Sequence, residues 1–267
     1  MMDWDDAFAN GTYIAGAEQY PPRWAEQAAA YRKAAQGQLD IPYGTSPRAR
    51  YDLFLPGGAP QGLVVFVHGG YWLKFDKSFW SHLAAGPVAR GWAVALPSYT
   101  LAPEAPLPAM TAEIAAAITH AGATTKGPIR LAGHSAGGHL VTRMICDDSP
   151  LAPDLMARLA HVVSISGLHD LRPLQATAMN ASLGLSAGVA AQESAALHAP
   201  APGIAVTAWV GGHERPEFLR QSALLREAWS RQGASIELAV APQRHHFDVI
   251  DALCDPDSPL TECLLSA

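Results

Sequence analysis

The sequence predicts an α/β fold with a mostly parallel central sheet and helices on both of its faces. Short apolar segments alternate along the chain with segments of helical periodicity, as in repeated β-α-β units. Residues 63–67, LVVFV, are continuously apolar and rich in β-branched residues, which is typical of a parallel strand buried on both faces. The length of 267 residues can bury a substantial core. We therefore expect one domain spanning residues 1–267.

The strand and helix predictions follow the same periodicities in chain order. Strands are predicted at residues 51–55, 63–67, 92–96, 129–132, 162–165, 204–210 and 236–240. Helices are predicted at residues 78–90, 110–121, 136–146 and 216–232, the last with proline at an early helical position. Residues 1–48 are predicted as an N-terminal helical extension, because apolar residues recur at helical spacing between positions 22 and 35. Residues 171–202 have little strand character and are a candidate cap.

Composition and charge narrow the class of protein. Hydrophobic residues make up 49% and charged residues 16%, and no apolar run approaches the roughly 20 residues that span a bilayer. The formal net charge is −6 and the 18 lysines and arginines are scattered, so we expect neither nucleic acid nor a membrane as a partner. An acidic start without an apolar segment predicts a cytoplasmic protein. The sequence leaves open whether the chain forms a homodimer.

Metal and disulfide chemistry are not expected. The three cysteines, Cys146, Cys254 and Cys263, have neither CxxC spacing nor a disulfide framework, so we expect them to be reduced and structural. His134, His139, His169 and His213 lack HExxH or comparable ligand spacing, which favours packing or hydrogen-bonding roles. We predict no metal site.

A nucleophile elbow is predicted at residues 129–138, IRLAGHSAGG. This segment runs from a predicted strand through a Gly-X-Ser-X-Gly motif directly into a predicted helix, as the nucleophile does in the α/β-hydrolase fold. Glycine is needed two residues before and after Ser135 because side chains there would collide with the neighbouring strand and helix. The motif therefore predicts the α/β-hydrolase fold, with Ser135 as a nucleophile that projects above the sheet.

Backbone donors for an oxyanion are predicted directly after the 63–67 strand, in the sequence HGGYW at positions 68–72. Small residues there let backbone N–H groups face a developing negative charge. We expect Gly70, Tyr71 and Ala136 to supply these donors. The neighbouring aromatic residues Trp72 and Phe75 either line the substrate pocket or belong to the core.

Serine needs a base, and the base needs a carboxylate that fixes its tautomer. In this fold both follow the serine, acid first. Glu214 lies in the predicted loop after the 204–210 strand, whereas Glu217 follows a proline and falls in the first turn of the next helix, so we favour Glu214. His245 and His246 both follow the last strand, and physical reasoning alone does not separate them.

Taken together, HGGYW at 68–72, GHSAGGHL at 133–140, ERPEF at 214–218 and HFD at 246–248 resemble the arylformamidase, or kynurenine formamidase, group of α/β-hydrolases. The resemblance covers most of the chain. It implies hydrolysis of N-formyl-L-kynurenine to L-kynurenine and formate in tryptophan catabolism, without a cofactor. It also implies Ser135, Glu214 and His246 as nucleophile, acid and base. The acid in this group is often aspartate, and Glu214 is one methylene longer, which the fold allows.

Two other functions remain as alternatives. The segment YTLAPE at 99–104 resembles hormone-sensitive-lipase-type carboxylesterases, although those enzymes usually carry HGGG and GDSAGG. A general short-chain carboxylesterase would share every catalytic element and differ in pocket shape and leaving group. A non-catalytic binding protein of the same fold is the alternative from another class, because a fold alone does not guarantee activity.

Overall fold

The computed structural model describes residues 2–266, which form one eight-stranded sheet. The strands are β1 (Gly37–Pro42), β2 (Arg50–Phe54), β3 (Leu63–Val67), β4 (Ala93–Pro97), β5 (Ile129–His134), β6 (Leu159–Ile165), β7 (Ala205–Gly211) and β8 (Ile236–Ala241). Their spatial order is β1-β2-β4-β3-β5-β6-β7-β8. Strand β2 is antiparallel to both β1 and β4, and all pairs from β4 to β8 are parallel. The predicted mostly parallel sheet is therefore confirmed.

Helices cover both faces of this sheet. The α-helices are α1 (Trp4–Ala7), α2 (Tyr20–Ala34), α3 (Ala85–Ala89), α4 (Leu107–Thr124), α5 (Ala136–Arg143), α6 (Pro153–Met156), α7 (Asn180–Leu183), α8 (Ala187–Gln192), α9 (Pro216–Ser230) and α10 (Pro259–Leu265). Short 3-10 turns occupy Gly11–Tyr13, Ala17–Gln19, Lys77–Phe79, Ser81–Ala84, Arg172–Ala176, Ala195–Leu197 and Asp251–Cys254. Within residues 2–266, no helix is long and apolar enough to cross a membrane.

The core has two layers, one on each face of the sheet. Leu63, Val65 and Val67 of β3 pack into one layer, with α4, α5 and α9. Val64 and Phe66 of the same strand pack into the other layer, with α2 and α10. Every residue of β3 is buried, as its continuous apolar sequence predicts.

Two local predictions need correction. Strand β1 lies inside residues 1–48, which were expected to be helical, and it was missed because its sequence GQLDIP is mostly exposed and lacks an apolar run. The helix expected at 78–90 is instead two 3-10 turns followed by the short α3. Pro87 has no N–H to give to a preceding turn and its ring would clash there, so it is tolerated in the first turn of α3 but not in the interior of a helix that begins at residue 78.

Residues 171–202 are joined to the rest of the fold by a buried carboxylate. Glu193 is 2% exposed. It accepts a hydrogen bond from Thr111 Oγ1 of α4 at 2.7 Å, and its Oε2 lies 3.4 Å from Arg143 Nε of α5. Arg143 also binds Asp148 at 2.8 Å. The candidate cap segment is therefore attached to the helix that begins directly after Ser135.

We expect Glu193→Ala to lower the free energy of unfolding by about 3 kcal/mol, because the change leaves a buried guanidinium and a buried hydroxyl without this partner. Urea denaturation measures the change. Glu227→Ala is the matched control, since its ion pair with Arg231 is exposed and should contribute less than about 0.5 kcal/mol. Equal effects of the two changes would contradict a structural role for the buried pair.

Candidate active site

The sheet brings the predicted site residues to one edge. The HGGYW loop follows β3, Ser135 follows β5, Glu214 follows β7 and His246 follows β8. These four strands are parallel, so their carboxyl ends meet at the same side, where α/β proteins bind ligands. Residues distant in sequence are thereby placed around one cavity.

Ser135 occupies a strained turn between β5 and α5. Its backbone has φ 55° and ψ −116°, a conformation that L-residues rarely adopt. A Cβ atom on Gly133 would lie 2.1 Å from the Gly137 carbonyl oxygen, and one on Gly137 would lie 2.0 Å from the Val67 carbonyl oxygen. Only glycine fits at both positions, which is the steric requirement that the Gly-X-Ser-X-Gly motif predicts.

His246 and Glu214 form a buried hydrogen-bonded pair. His246 Nδ1 lies 2.6 Å from Glu214 Oε2, and the histidine donates to the carboxylate. The other carboxylate oxygen, Oε1, accepts hydrogen bonds from the Gly211 N–H at 2.8 Å and from the Ser166 hydroxyl. With Nδ1 protonated in this way, Nε2 of His246 is left as the acceptor, as proton removal from a serine requires.

The alternative acid and base point elsewhere. Glu217 binds Arg220 through both carboxylate oxygens at 2.7 Å and also accepts from Gln221 Nε2 at 2.8 Å. His245 Nε2 lies 3.0 Å from the Tyr20 hydroxyl, and its Nδ1 accepts from the backbone. The structure thus places Glu214, and not Glu217, beside His246.

A cavity of about 550 Å³ contains both Ser135 and His246 in its wall. The N-terminal segment supplies part of this wall through α1, the 3-10 turns and α2. Residues that line the cavity are Asp5, Phe8, Ala9, Asn10, Gly11, Ala17, Glu18, Pro21, Trp24, Gly69, Gly70, Tyr71, Leu73, Lys74, Phe75, Trp80, His134, Ser135, Met179, His246 and Phe247. The segment 171–202 contributes Met179 to this set.

The HGGYW loop is held close to the elbow with its backbone donors free. A Cβ atom on Gly69 would lie 3.0 Å from Ser135 Cβ, and Gly70 has φ 110°, where a side chain would be strained. Within residues 2–266, the N–H groups of Gly70, Tyr71 and Ala136 have no hydrogen-bond partner. These are the three groups that the sequence predicted as oxyanion donors.

Comparison with known proteins places this arrangement in a family. Residues 64–246 match a family described as the alpha/beta hydrolase fold. The chain belongs to the α/β-hydrolase family. It is an enzyme of the α/β-hydrolase type, and the predicted resemblance to kynurenine formamidases is confirmed by its relatives.

The relatives of this hydrolase include formamidases and esterases. It is 27% identical to a kynurenine formamidase of Danio rerio over 243 residues, which cover 88% of this chain and 83% of the relative. A crystal structure from Silicibacter sp. TM1040, provisionally assigned as a thioesterase, is 49% identical over the full length of both chains, with a TM-score of 0.94. Esterase B from Lactobacillus rhamnosus shares the fold at 18% identity, with 98% of this chain and 92% of the esterase covered and a TM-score of 0.70.

Of the two aromatic residues expected to contact substrate, the hydrolase places one in the cavity. Phe75 lines the cavity and packs edge-on against Trp24 and Trp80. Trp72 is fully buried, packs edge-on against His139 at 5.2 Å and is not part of the cavity wall. The substrate-binding set is corrected accordingly, because Trp72 belongs to the core.

Two further side chains hold the His246–Glu214 pair. His134 Nε2 lies 2.9 Å from the His246 carbonyl oxygen, and the two rings are 4.7 Å apart. Burial, and to a smaller extent repulsion from His246 when that ring is protonated, lowers the pKa of His134 well below its ordinary value, so His134 is neutral and donates. Ser166 donates a hydrogen bond to Glu214, and the sequence analysis did not predict this role. The only sequence feature at this position is a Ser-Gly pair directly after β6.

Proposed function

We propose that this enzyme is a serine hydrolase that converts N-formyl-L-kynurenine to L-kynurenine and formate. The observation that carries the proposal is the cavity, in which Ser135 and His246 share a wall with several aromatic side chains. Its volume of about 550 Å³ is large enough for an aryl formamide. Similarity to kynurenine formamidases over most of the chain supports the choice of substrate.

In the proposed mechanism, Ser135 Oγ attacks the formyl carbon while His246 Nε2 takes the hydroxyl proton. Glu214 stabilises the imidazolium that forms. The N–H groups of Gly70, Tyr71 and Ala136 bind the oxyanion of the tetrahedral intermediate. The C–N bond then breaks as His246 returns the proton to the leaving arylamine, and water releases formate from the formyl-serine by the reverse sequence.

The cavity wall also suits the two ends of this substrate. Trp24, Phe75 and Phe247 offer aromatic faces and edges to the aryl ring. Lys74 and Glu18 are exposed side chains of opposite charge in the same wall. They can face the carboxylate and the ammonium group of the kynurenine side chain.

We expect Lys74→Met to raise KM for N-formyl-L-kynurenine about 2- to 5-fold, the effect of one exposed charge pair. Formanilide has no carboxylate, so its KM should stay the same. Steady-state kinetics on both substrates measure the difference. A parallel change in the two KM values would show that Lys74 acts through the shape of the HGGYW loop instead.

A carboxylesterase or thioesterase function is the second candidate, favoured by the 49% identity to the Silicibacter protein. Such an enzyme would use the same three side chains on an ester or thioester. The deciding experiment compares kcat/KM for N-formyl-L-kynurenine with kcat/KM for p-nitrophenyl acetate, p-nitrophenyl butyrate and an acetyl thioester. Preference for the formamide supports the proposal, and preference for an ester or a thioester replaces it.

A cytoplasmic location is retained as part of the proposal. Cys146, Cys254 and Cys263 are free thiols in the structure, which suits a reducing compartment. The proposed chemistry needs no metal and no cofactor, because serine, histidine and backbone donors supply each proton and charge.

A further inference from the structure

Asn10 is a buried polar residue that the mechanism above does not use. It is 5% exposed and lies in the N-terminal segment, just before the 3-10 turn Gly11–Tyr13. Its side chain makes no capping hydrogen bond to that turn. Asn10 lines the cavity of Ser135 and also a smaller cavity of about 190 Å³ beside Glu214, and His246 lines both. Asn10 is thus in the wall that surrounds the histidine.

The hydrogen bonds of its neighbours fix which way the Asn10 amide points. The Tyr71 hydroxyl donates to the Phe8 carbonyl oxygen at 2.5 Å, so the phenol oxygen is available as an acceptor. Asn10 Nδ2 donates to that phenol oxygen at 3.3 Å. Burial, with Glu214 and Glu217 nearby, raises the pKa of Tyr71, which keeps the phenol protonated and this direction of donation in place.

This arrangement leaves the amide oxygen without a partner. Within residues 2–266, Asn10 Oδ1 accepts no hydrogen bond although it is buried. A buried acceptor without a donor is unfavourable, and such groups in native structures usually have a partner or a function. A hydrogen-bond donor that enters the cavity lined by Asn10 would satisfy Oδ1.

We propose that Asn10 Oδ1 accepts a hydrogen bond from the N–H of the scissile amide and so makes the enzyme selective for amides over esters. This inference rests on the proposed formamidase function and names the substrate feature that the site recognises. An ester has an oxygen in place of that N–H and cannot satisfy Oδ1. A site built to bind an N–H discriminates strongly against an analogue without one.

The same hydrogen bond would help the C–N bond to break. When Ser135 Oγ bonds to the formyl carbon, the amide nitrogen becomes pyramidal and carries one hydrogen and one lone pair. The lone pair must take the proton from His246 Nε2 before the nitrogen leaves as an arylamine. If the N–H points to Asn10, the lone pair is directed away from Asn10 and is free to face His246. An ester oxygen has a second lone pair and needs no such orientation.

Asn10→Ala tests the inference with two substrates that differ only in the leaving atom, formanilide and phenyl formate. We expect kcat/KM on formanilide to fall about 10- to 100-fold, as for the loss of one hydrogen bond to a buried group. After correction for spontaneous hydrolysis, kcat/KM on phenyl formate should change less than about 3-fold. Asn10→Asp keeps an acceptor at the same position and should retain more formanilide activity than Asn10→Ala.

A third substrate, N-methylformanilide, isolates the N–H itself. The wild type should prefer formanilide to N-methylformanilide, and Asn10→Ala should reduce that preference. Equal losses on formanilide and phenyl formate would overturn the inference, since Asn10 would then only support the HGGYW loop through Tyr71. Unchanged formanilide kinetics would overturn it as well. A wild type that hydrolyses phenyl formate but not formanilide would instead refute the formamidase function on which the inference rests.

Discussion

Ser135→Ala is expected to lower kcat/KM on N-formyl-L-kynurenine by about 10⁴-fold or more, the range found when a serine nucleophile is removed. The expected loss is large because the substitution removes the atom proposed to attack the formyl carbon of the substrate. The change should not disturb the fold, since alanine keeps the Cβ atom that the turn accommodates at φ 55°. Steady-state kinetics and thermal unfolding of the same preparation measure both quantities.

The control for this prediction is a serine outside the cavity. Ser149 lies in the turn after α5, where its hydroxyl donates to the Met144 carbonyl oxygen, and Ser149→Ala should leave kcat/KM within about 2-fold of the wild type. Ser135→Ala activity close to that of the wild type, with the fold retained, would show that another group performs the attack.

Glu214→Gln is expected to lower kcat by about 10³- to 10⁴-fold, as when the carboxylate of a serine–histidine pair is made neutral. The substitution removes the negative charge that stabilises protonated His246. It also places an amide where Nδ1 donates at 2.6 Å, so the histidine is no longer held in the tautomer that leaves Nε2 free. KM should change little, because no part of the proposed substrate contacts Glu214.

Glu217→Gln distinguishes the two carboxylates that the sequence left as alternatives. The Glu217 carboxylate accepts hydrogen bonds from Arg220 and Gln221, so the substitution should alter kcat by less than about 3-fold. A larger loss in Glu217→Gln than in Glu214→Gln would contradict the assignment of the acid.

The parts of the site that could be predicted are those set by local sterics. The elbow is predicted from residues 129–138, because the strand–turn–helix pattern and the close approach of Gly133 to Gly137 are local, whereas the approach of Gly137 to Val67 of β3 is seen only in the folded chain. The buried strand β3 is predicted from its continuous apolar sequence, which is typical of a parallel strand buried on both faces. Glu214 and Glu217 are three residues apart and chemically identical, so the sequence favours Glu214 only through its position in the loop, and the partners of Glu217 in the folded chain distinguish the two.

The remaining features depend on contacts between distant residues. Asn10 and Tyr71 are hydrogen-bonded although they are 61 residues apart in sequence, and Ser166 and Glu214 are hydrogen-bonded at a separation of 48 residues. The hydrophobic periodicity that predicts helices and strands does not indicate contacts between residues so far apart in sequence. Trp72 and Phe75 lie three residues apart after β3 and both have a positive φ, so the local sequence does not show that Trp72 enters the core and Phe75 the cavity. Strand β1 was missed because edge strands that face solvent lack the apolar pattern of buried ones.

The most direct test of the central claim is whether formamide hydrolysis takes place at Ser135 in this cavity. A fluorophosphonate that reacts with activated serines would be applied with increasing concentrations of N-formyl-L-kynurenine, and the modified residue would be located by peptide mass spectrometry. We expect a label on Ser135 alone, with protection that is half-complete at a substrate concentration near KM. A label on another serine, or labelling of Ser135 that the formamide does not slow, would contradict it.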